Sequence, residues 1–562
     1  MLTFENEKLL SRVLTFGAAF TTVFLISGSV TDPVNVPKLV TLGIMASAGL
    51  GILVADSVAR NAKHLKLIWV SCSLFLGFSL ISVLRSDSPL SQGLYGAYGR
   101  NNGFLAYFFL AIALLGTASF SRVESFFRLI KAFFTAGIIN VVYCLWVICF
   151  GDFIGWDNTY GNILGTLGNP NFIGAFLGMF LASYFAYGIS GKSSKYFKLS
   201  TILVLPVTIF EIVASHAIQG RVVGGAGLAI VGFFYVRDRF NSLVLSIYST
   251  LAVIVGFFAL LGALQIGPLT AFIYKTSVSL RGQYWKAGWN TGEAHPFSGV
   301  GMDAFGDWYR RSRDQHALEL PGVNTVVNAS HNVPIDMFAF GGWPLFITYL
   351  AIMAIGAVSL LRTIKRTKQF DSVLVVLTTA WVGYQLQSVI SINQIGLAIW
   401  GWMLTGAAIA YERITRTDQQ VISSSNKRTQ ANSAQNSKTI VFATSFGLVG
   451  LLIVLPPLLS DAKWRSAQLS RSVQNIEATM LPSYFNPQTT MRYLVNIQNL
   501  EGSNLPDLAH KYALQAVKWN SQSYDLWRML YFVRNSTPEE KASALENMKR
   551  LEPLNPDVSA IK

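Results

Sequence analysis

The chain has 562 residues, 52% of them hydrophobic and only 13% charged. Soluble domains carry roughly 25% charged residues, so a soluble globular class is excluded, and apolar runs of about 20 residues recur, the length that crosses the hydrocarbon core. The net charge of +15 does not point to nucleic acid, because much of it lies in short loops between apolar segments, where lysine and arginine set membrane orientation.

In chain order, about thirteen spans are expected, near residues 13–30, 39–55, 67–84, 103–120, 127–150, 170–189, 199–215, 222–236, 243–265, 333–361, 372–390, 394–411 and 439–460. The fold class is therefore all-α, a polytopic membrane helical bundle. Alternate connections are basic: Arg60/Lys63/Lys66, Arg122/Arg128, Lys192/Lys195/Lys198, Arg237/Arg239 and Arg362/Lys365/Arg366/Lys368. Positive charge marks the cytoplasmic side. That rule puts the N-terminus inside, and both the 266–332 connection and the C-terminal tail outside. No cleavable signal peptide is expected, since Glu5 and Glu7 precede the first apolar run. Cys72, Cys144 and Cys149 all fall in apolar segments, so no disulfide framework is expected.

Four regions follow. Residues 1–412 form a transmembrane domain with a large outer loop at 266–332. Residues 413–438, rich in Ser, Asn and Gln, form a flexible cytoplasmic linker. The last span is 439–460, and 461–562 is a small extracytoplasmic helical domain. Within that tail, LAHKYALQAVKWNSQSYDLWRMLYF followed by TPEEKASALENMKRLEPLNP reads as a helix-turn-helix unit, with Pro538 opening a helix. It resembles a tetratricopeptide-type repeat and is a candidate surface for a protein partner; a plain helical cap is the alternative reading.

Two acidic residues enter the expected spans, Glu211 and Asp336. Each lies within about two turns of a helix end. An intramembrane carboxylate is costly, and it either serves a function or accepts a hydrogen bond from a neighbouring helix. The same face gathers Arg100 in YGAYGRNNGF, Asn169 and Asn171 in GTLGNPNFIG, and Arg221 in SHAIQGRVVGG. An arginine at a helix mouth can anchor to a lipid phosphate. Several that converge with Arg281 suit an anionic group, because the guanidinium fork matches phosphate oxygens. The stretch from Arg281 to Asn332 is too long and too aromatic for a simple connection.

These elements have a family likeness. The pattern R-x3-W-x-x-G (Arg281, Trp285, Gly288), then HPFSGVGMDAF, then SHN ahead of a helix with a glycine pair, resembles the O-antigen ligase/polymerase superfamily. GRNNG and GNPN are similar to earlier elements of that family, and the likeness runs over roughly residues 30–410. Two departures stand out. Gly341-Gly342 is followed by Trp343-Pro344-Leu345, where relatives often have a second spaced glycine. Arg221 sits in S-H-A-I-Q-G-R, where relatives have a compact Ser-Arg pair.

The resemblance implies an extracytoplasmic glycosyltransferase of the cell membrane, active in cell-surface polysaccharide biosynthesis. It moves a glycan from a polyprenyl (undecaprenyl) diphosphate carrier to a glycan, lipid or protein acceptor, without a cofactor or an obligatory metal. Ligase, polymerase and protein oligosaccharyltransferase all remain open. A transporter of lipid-linked glycans is the reading from another class, disfavoured because no internal repeat is visible and the polar groups gather toward one face.

Such a transfer needs cations for the departing diphosphate and a base for the acceptor hydroxyl. Arg281, Arg221 and Arg100 are the expected cations, and His331 is the expected base. Asn332 is expected to orient the imidazole or a sugar hydroxyl, and Asp336 to brace that pair from one turn further on. Tyr284, Trp285, Trp289 and Trp308 offer faces for sugar rings, or else belong to an interfacial aromatic belt. His64, His216, His295, His316 and His510 lack a comparable setting. Asp303 and Asp307, four residues apart, could share a helix face, but no flanking metal ligands accompany them.

Overall fold

The computed structural model describes residues 2–56, 65–156, 158–417 and 433–561. Arg60, Lys63, His64 and most of the expected 413–438 linker lie outside the described residues. The chain opens with α1 (Phe4–Val23), α2 (Asn35–Ala55), α3 (Lys66–Arg85), a short α4 (Leu90–Tyr95), α5 (Phe104–Ala118) and α6 (Val123–Phe150). Next come α7 (Pro170–Gly188), α8 (Lys195–Ala214), α9 (Ile218–Arg239), α10 (Ser242–Ala263), α11 (Thr270–Ile273), α12 (Thr276–Ala294) and α13 (Phe305–Ser312). The remaining helices begin with α14 (Val333–Arg366), α15 (Ser372–Ile390), α16 (Ile395–Thr417) and α17 (Ser433–Ser470). They end with α18 (Val473–Thr479), α19 (Thr490–Gly502), α20 (Pro506–Trp519), α21 (Tyr524–Phe532), α22 (Pro538–Leu551) and α23 (Pro556–Ala560).

Among the described residues, 11 helices are long and apolar enough to cross a membrane. The other two expected spans correspond to α5, which is apolar but shorter, and to α1. The molecule is an all-α, multi-pass membrane bundle.

The first span departs from expectation. The apolar pattern suggests 13–30, but α1 is Phe4–Val23. Its boundaries are set by buried charges at both ends. Glu7, fully buried, accepts from the backbone N–H groups of Ser121 and Arg122 (2.9 and 3.0 Å) and from the hydroxyls of Ser121 and Ser125. At the other end the buried Lys38 ammonium donates to the carbonyls of Thr21, Thr22 and Phe24 (3.1, 2.7 and 3.1 Å). Terminal carbonyls of a helix lack intrahelical donors, so a cation there satisfies them and the helix dipole together. The expected linker also starts late: Arg413 lies within α16 and donates to the carbonyls of Ala118 and Phe120.

Small residues bring helices into contact where the site is built. Gly174 and Gly178 on α7 face Gly220 and Gly224 on α9. A Cβ at Gly178 would stand 2.7 Å from the Gly220 carbonyl oxygen, and one at Gly220 equally close to that of Gly174. Two GxxxG spacings meeting backbone to backbone lock these helices without polar side chains. The contact sets the α7 N-terminus, with Asn169 and Asn171, beside the start of α9.

The glycine pair in α14 breaks the helix. Gly342 has φ 65° and ψ −163°, a region open essentially to glycine alone. The break frees the carbonyls of Ala339 and Phe340, which accept from Val300 N and Gly301 N (both 3.0 Å), while Trp343 N donates to the Pro296 carbonyl (2.8 Å). The HPFSGVG segment is thereby laid against the broken helix by main-chain bonds. Gly342→Ala meets both problems at once, since its Cβ would fall 2.2 Å from the Pro296 oxygen. We expect a loss of about 1–3 kcal/mol from backbone strain alone, read as a lower thermal midpoint in detergent.

Beyond the bundle, α17 does not stop at residue 460 but continues to Ser470. Tyr493, Ile497, Ala509, Ala513, Ala516 and Leu526 form a separate buried cluster. Pro538 opens α22 at its first turn, with Thr537 and Glu540 forming a capping box. These tail helices also reach back to α13. Glu552, buried, pairs with both Arg310 (2.9 Å) and Arg313, Asp525 pairs with Arg310 (3.0 Å), and Gln522 accepts from Arg311 (3.0 Å).

Candidate active site

The stretch 266–332 is largely helical. Arg281, Trp285, Gly288 and Gly292 recur on one face of α12, as their spacing of four, three and four demands. The two glycines let α12 lie close on the start of α14: a Cβ at Gly288 would come 2.8 Å from Ser330 Cβ, and one at Gly292 2.3 Å from the Phe338 ring. Arg281 and Trp285 are thus held against the SHN turn.

His331 occupies that turn in the left-handed region, at φ 60°. Histidine tolerates this conformation better than most residues. Its neighbours fix it. Asp336 Oδ1 accepts from both the backbone N–H and the hydroxyl of Ser330, each at 2.7 Å. Asn332 caps α14, its Oδ1 accepting from Ile335 N at 3.0 Å. Trp285 Nε1 donates to the His331 carbonyl at 3.3 Å, and the Tyr284 ring lies 5.3 Å from the imidazole. Asn332 gives its amide oxygen to the helix cap, and among the described residues it makes no hydrogen bond to the imidazole. Asp336 fastens Ser330, the residue preceding His331, and the Ser330 hydroxyl also meets the Asn332 carbonyl (3.1 Å), so Asp336 acts on the turn through Ser330.

The half-buried imidazole is pushed down to about 3, first by burial and then by the charges of Arg100 and Arg281. It is therefore neutral at ordinary pH. Arg281 is itself buried, and burial lowers its affinity for a proton, though an arginine stays charged. Its Nη2 donates to Gln219 (3.0 Å) when that amide is turned to satisfy both its neighbours, the other being the Asn171 carbonyl (3.1 Å). Gln219 so links α7, α9 and α12.

Arg100 arrives on a loop fixed from across the chain. Asp303, at φ 54°, accepts from Ala97 N (2.8 Å) and Asn102 N (3.1 Å). Burial raises this carboxyl to about 7 against the pull of those two N–H groups and Arg100. Asp307 points elsewhere, to Gln92 and Asn520 (both 3.1 Å). Asp303 lies just outside α13 and Asp307 in its first turn, so the pair does not share a helix face. Among the described residues the Arg100 guanidinium makes no hydrogen bond or ion pair, and its Nε is buried.

Arg100 also lines a cavity of about 550 Å³ together with Asn169. Asn169 caps α7 through Asn171 N (2.9 Å) and donates to the Tyr160 hydroxyl (3.0 Å). The structure thus gathers His331, Arg281, Arg100, Trp285, Asn332 and Asp336, with Asn169 and Asn171 adjoining. Two expected members are not brought in. Arg221 is exposed, on the opposite side of α9 from the buried Gln219 two residues earlier, since two helical residues point about 200° apart. Glu211 is buried in the last turn of α8, and neither carboxylate oxygen has a hydrogen-bond partner among the described residues. Trp289 packs on Phe338 and Trp343 yet stays exposed, while Trp308 packs on His295 and under Arg311, which covers its face.

Residues 203–350 match the family model of the O-antigen ligases. Over this segment the chain is similar to the O-antigen ligase/polymerase superfamily. No curated protein matches the chain. That similarity supports a glycosyltransferase function of the ligase/polymerase type in polysaccharide biosynthesis, a reaction between a lipid-linked glycan donor and an acceptor. The matched segment carries Arg281, Asp303, His331 and Asp336. Arg100, Asn169, Asn171 and all the residues that line the cavity come from outside it.

Gln219, Ser330 and the tie made by Asp303 escaped the sequence reading. Ser330 had a legible signal, a hydroxyl two residues ahead of a helix cap whose first turn carries a carboxylate. Gln219 had only its place beside Arg221 at a helix mouth. The Asp303 tie had none, because its partners lie some 200 residues upstream (separations of 206 and 201).

Proposed function

We propose that the protein is an extracytoplasmic glycosyltransferase of the cell membrane that moves a glycan from a polyprenyl diphosphate carrier to an acceptor hydroxyl, as an O-antigen ligase does. One observation carries this reading: a neutral, half-buried imidazole set beside two arginines whose charges act on it. The acceptor oxygen attacks the anomeric carbon and gives its proton to His331, while the bond from that carbon to the diphosphate breaks with inversion. The departing diphosphate gains negative charge, and Arg281 and Arg100 stabilise it through preorganised N–H donors. The basic loops at Arg122/Arg128, Lys192–Lys198 and Arg362–Lys368 support an outward-facing site by the positive-inside rule.

Burial first, and then the same two arginines, hold His331 below the range of a useful base, and bound diphosphate offsets the arginines' part. The donor thus restores basicity to the group that needs it. The test is transfer of a labelled polyprenyl-diphosphate glycan by purified protein to acceptors extracted from the native envelope, followed across pH. A product with released carrier diphosphate supports the reading. In the free enzyme His331 protonates only near 3, so the acid limb of kcat/KM for donor is set above it, near 7, by the Asp303 carboxyl that ties the Arg100 loop. With donor saturating, His331 protonates at a higher pH than in the free enzyme, and kcat falls as acid protonates the base in the complex. Cleavage absent from folded, donor-binding protein would sink the reading.

A further inference from the structure

Apart from Arg100, the cavity is lined by residues to which the proposed chemistry gives no role. Its walls include Asp32, Arg100, Trp156, Tyr160, Asn169 and Arg465. The whole lining lies outside the family-matched segment, and the far end of α17 contributes Arg465 to it. There Asp461 Oδ2 accepts from Thr31 N and Asp32 N, both at 2.8 Å, and so pins the loop between α1 and α2. Trp464 packs edge-on against Tyr98 at 5.5 Å. Arg465 extends to the Gly28 carbonyl by a single long contact of 3.4 Å from Nε.

The lining is of one chemical kind. Aromatic rings (Trp156 and Tyr160) stand beside amide, carboxyl and guanidinium groups, and the two arginines have N–H donors that no described residue takes up. Asp152 fixes Trp156 through its indole N–H at 2.6 Å, and Asn169 is held by Tyr160. An alkyl chain would leave those donors unsatisfied at a cost, and a bare diphosphate would leave the rings uncovered. A hydroxylated ring has an apolar face and an acceptor-rich rim, and a volume of about 550 Å³ falls within the range of built ligand pockets.

We propose that this cavity is a saccharide-binding site for one or two sugar rings of a glycan substrate, with Trp156 and Arg465 as its specificity-determining residues. The assignment of these sugars to a glycan-transfer substrate rests on the function proposed above. Because no lining residue belongs to the matched segment, sugar preference is set by parts of the chain beyond it, Arg465 of α17 among them.

The probe is the repeat-unit oligosaccharide released by mild acid from the surface polysaccharide of the source cells. Its binding to the purified full-length protein is measured by saturation-transfer NMR and tryptophan fluorescence, for wild type, Trp156→Ala, Arg465→Ala and His331→Asn. We expect each cavity variant to raise Kd about tenfold, the loss of one good contact, with an unchanged thermal midpoint, while His331→Asn binds as wild type does. In the transfer assay the cavity variants should raise KM for the glycan with a smaller change in kcat. A rise for donor alone assigns the site to donor sugars, and a rise for acceptor alone to acceptor sugars. Arg465→Lys should recover part of the affinity. Wild-type protein that fails to bind at millimolar oligosaccharide overturns the site, as do cavity variants that bind undiminished. If His331→Asn transfers normally while Trp156→Ala loses binding, the catalytic reading fails and the saccharide site stands.

Discussion

Changing His331 to asparagine is expected to lower the rate of glycan transfer by about 10²–10⁴-fold, the contribution of a positioned general base, with little change in thermal midpoint. Asparagine is the informative replacement because of the backbone. The residue holds φ 60°, and asparagine is among the few side chains that enter the left-handed region readily. Alanine would add a conformational penalty to the chemical one. Ser330, Asn332 and Asp336 would still close the turn, and Trp285 would still donate to the residue 331 carbonyl. Single-turnover transfer from labelled donor separates chemistry from binding, so the loss should appear in the chemical step with donor affinity kept. Wild-type turnover by the variant would remove His331 from the mechanism.

The largest structural effect is expected at the other end of the chain. Glu552 is buried between Arg310 and Arg313, and the Arg313 side chain is fully buried as well. Removing one partner of such a group strands its counter-charges, at about 3–5 kcal/mol. Glu552→Ala should therefore lower the thermal midpoint and expose the tail helices to protease ahead of the bundle. Arg310 also stacks over Tyr524 at 4.3 Å and pairs with Asp525. The tail is held by a network around α13, and α13 begins two residues after Asp303. If Glu552→Ala leaves both midpoint and proteolysis pattern unchanged, the tail is docked by other contacts.

Parts of the site were legible because they are local. Arg281, Trp285 and Gly288 share a helix face by spacing alone, and a helix period needs no tertiary information. Asn332 was singled out for its place beside His331, yet its role is that of a cap, which the following Val-Pro start of α14 already signals. Arg221 was misleading for a related reason. Its charge at a helix mouth was visible, but the side of α9 it occupies depends on how α7 packs, and the GxxxG contact turns Gln219 inward instead.

What the sequence determined by itself is the membrane-spanning helical architecture. Hydrocarbon thickness imposes a run length and excludes unpaired backbone, and both constraints act on each segment independently. The family pattern was likewise carried by short stretches around Arg281, Pro296 and His331. Tertiary structure alone decided which groups meet. Lys38 ends α1 by reaching back to three carbonyls, Asp303 fixes the Arg100 loop, and Asp461 holds a loop 430 residues away. A buried polar group must find its partner through space, at whatever chain separation the packing supplies. Such pairings have no period to read, and they place the arginines beside the imidazole.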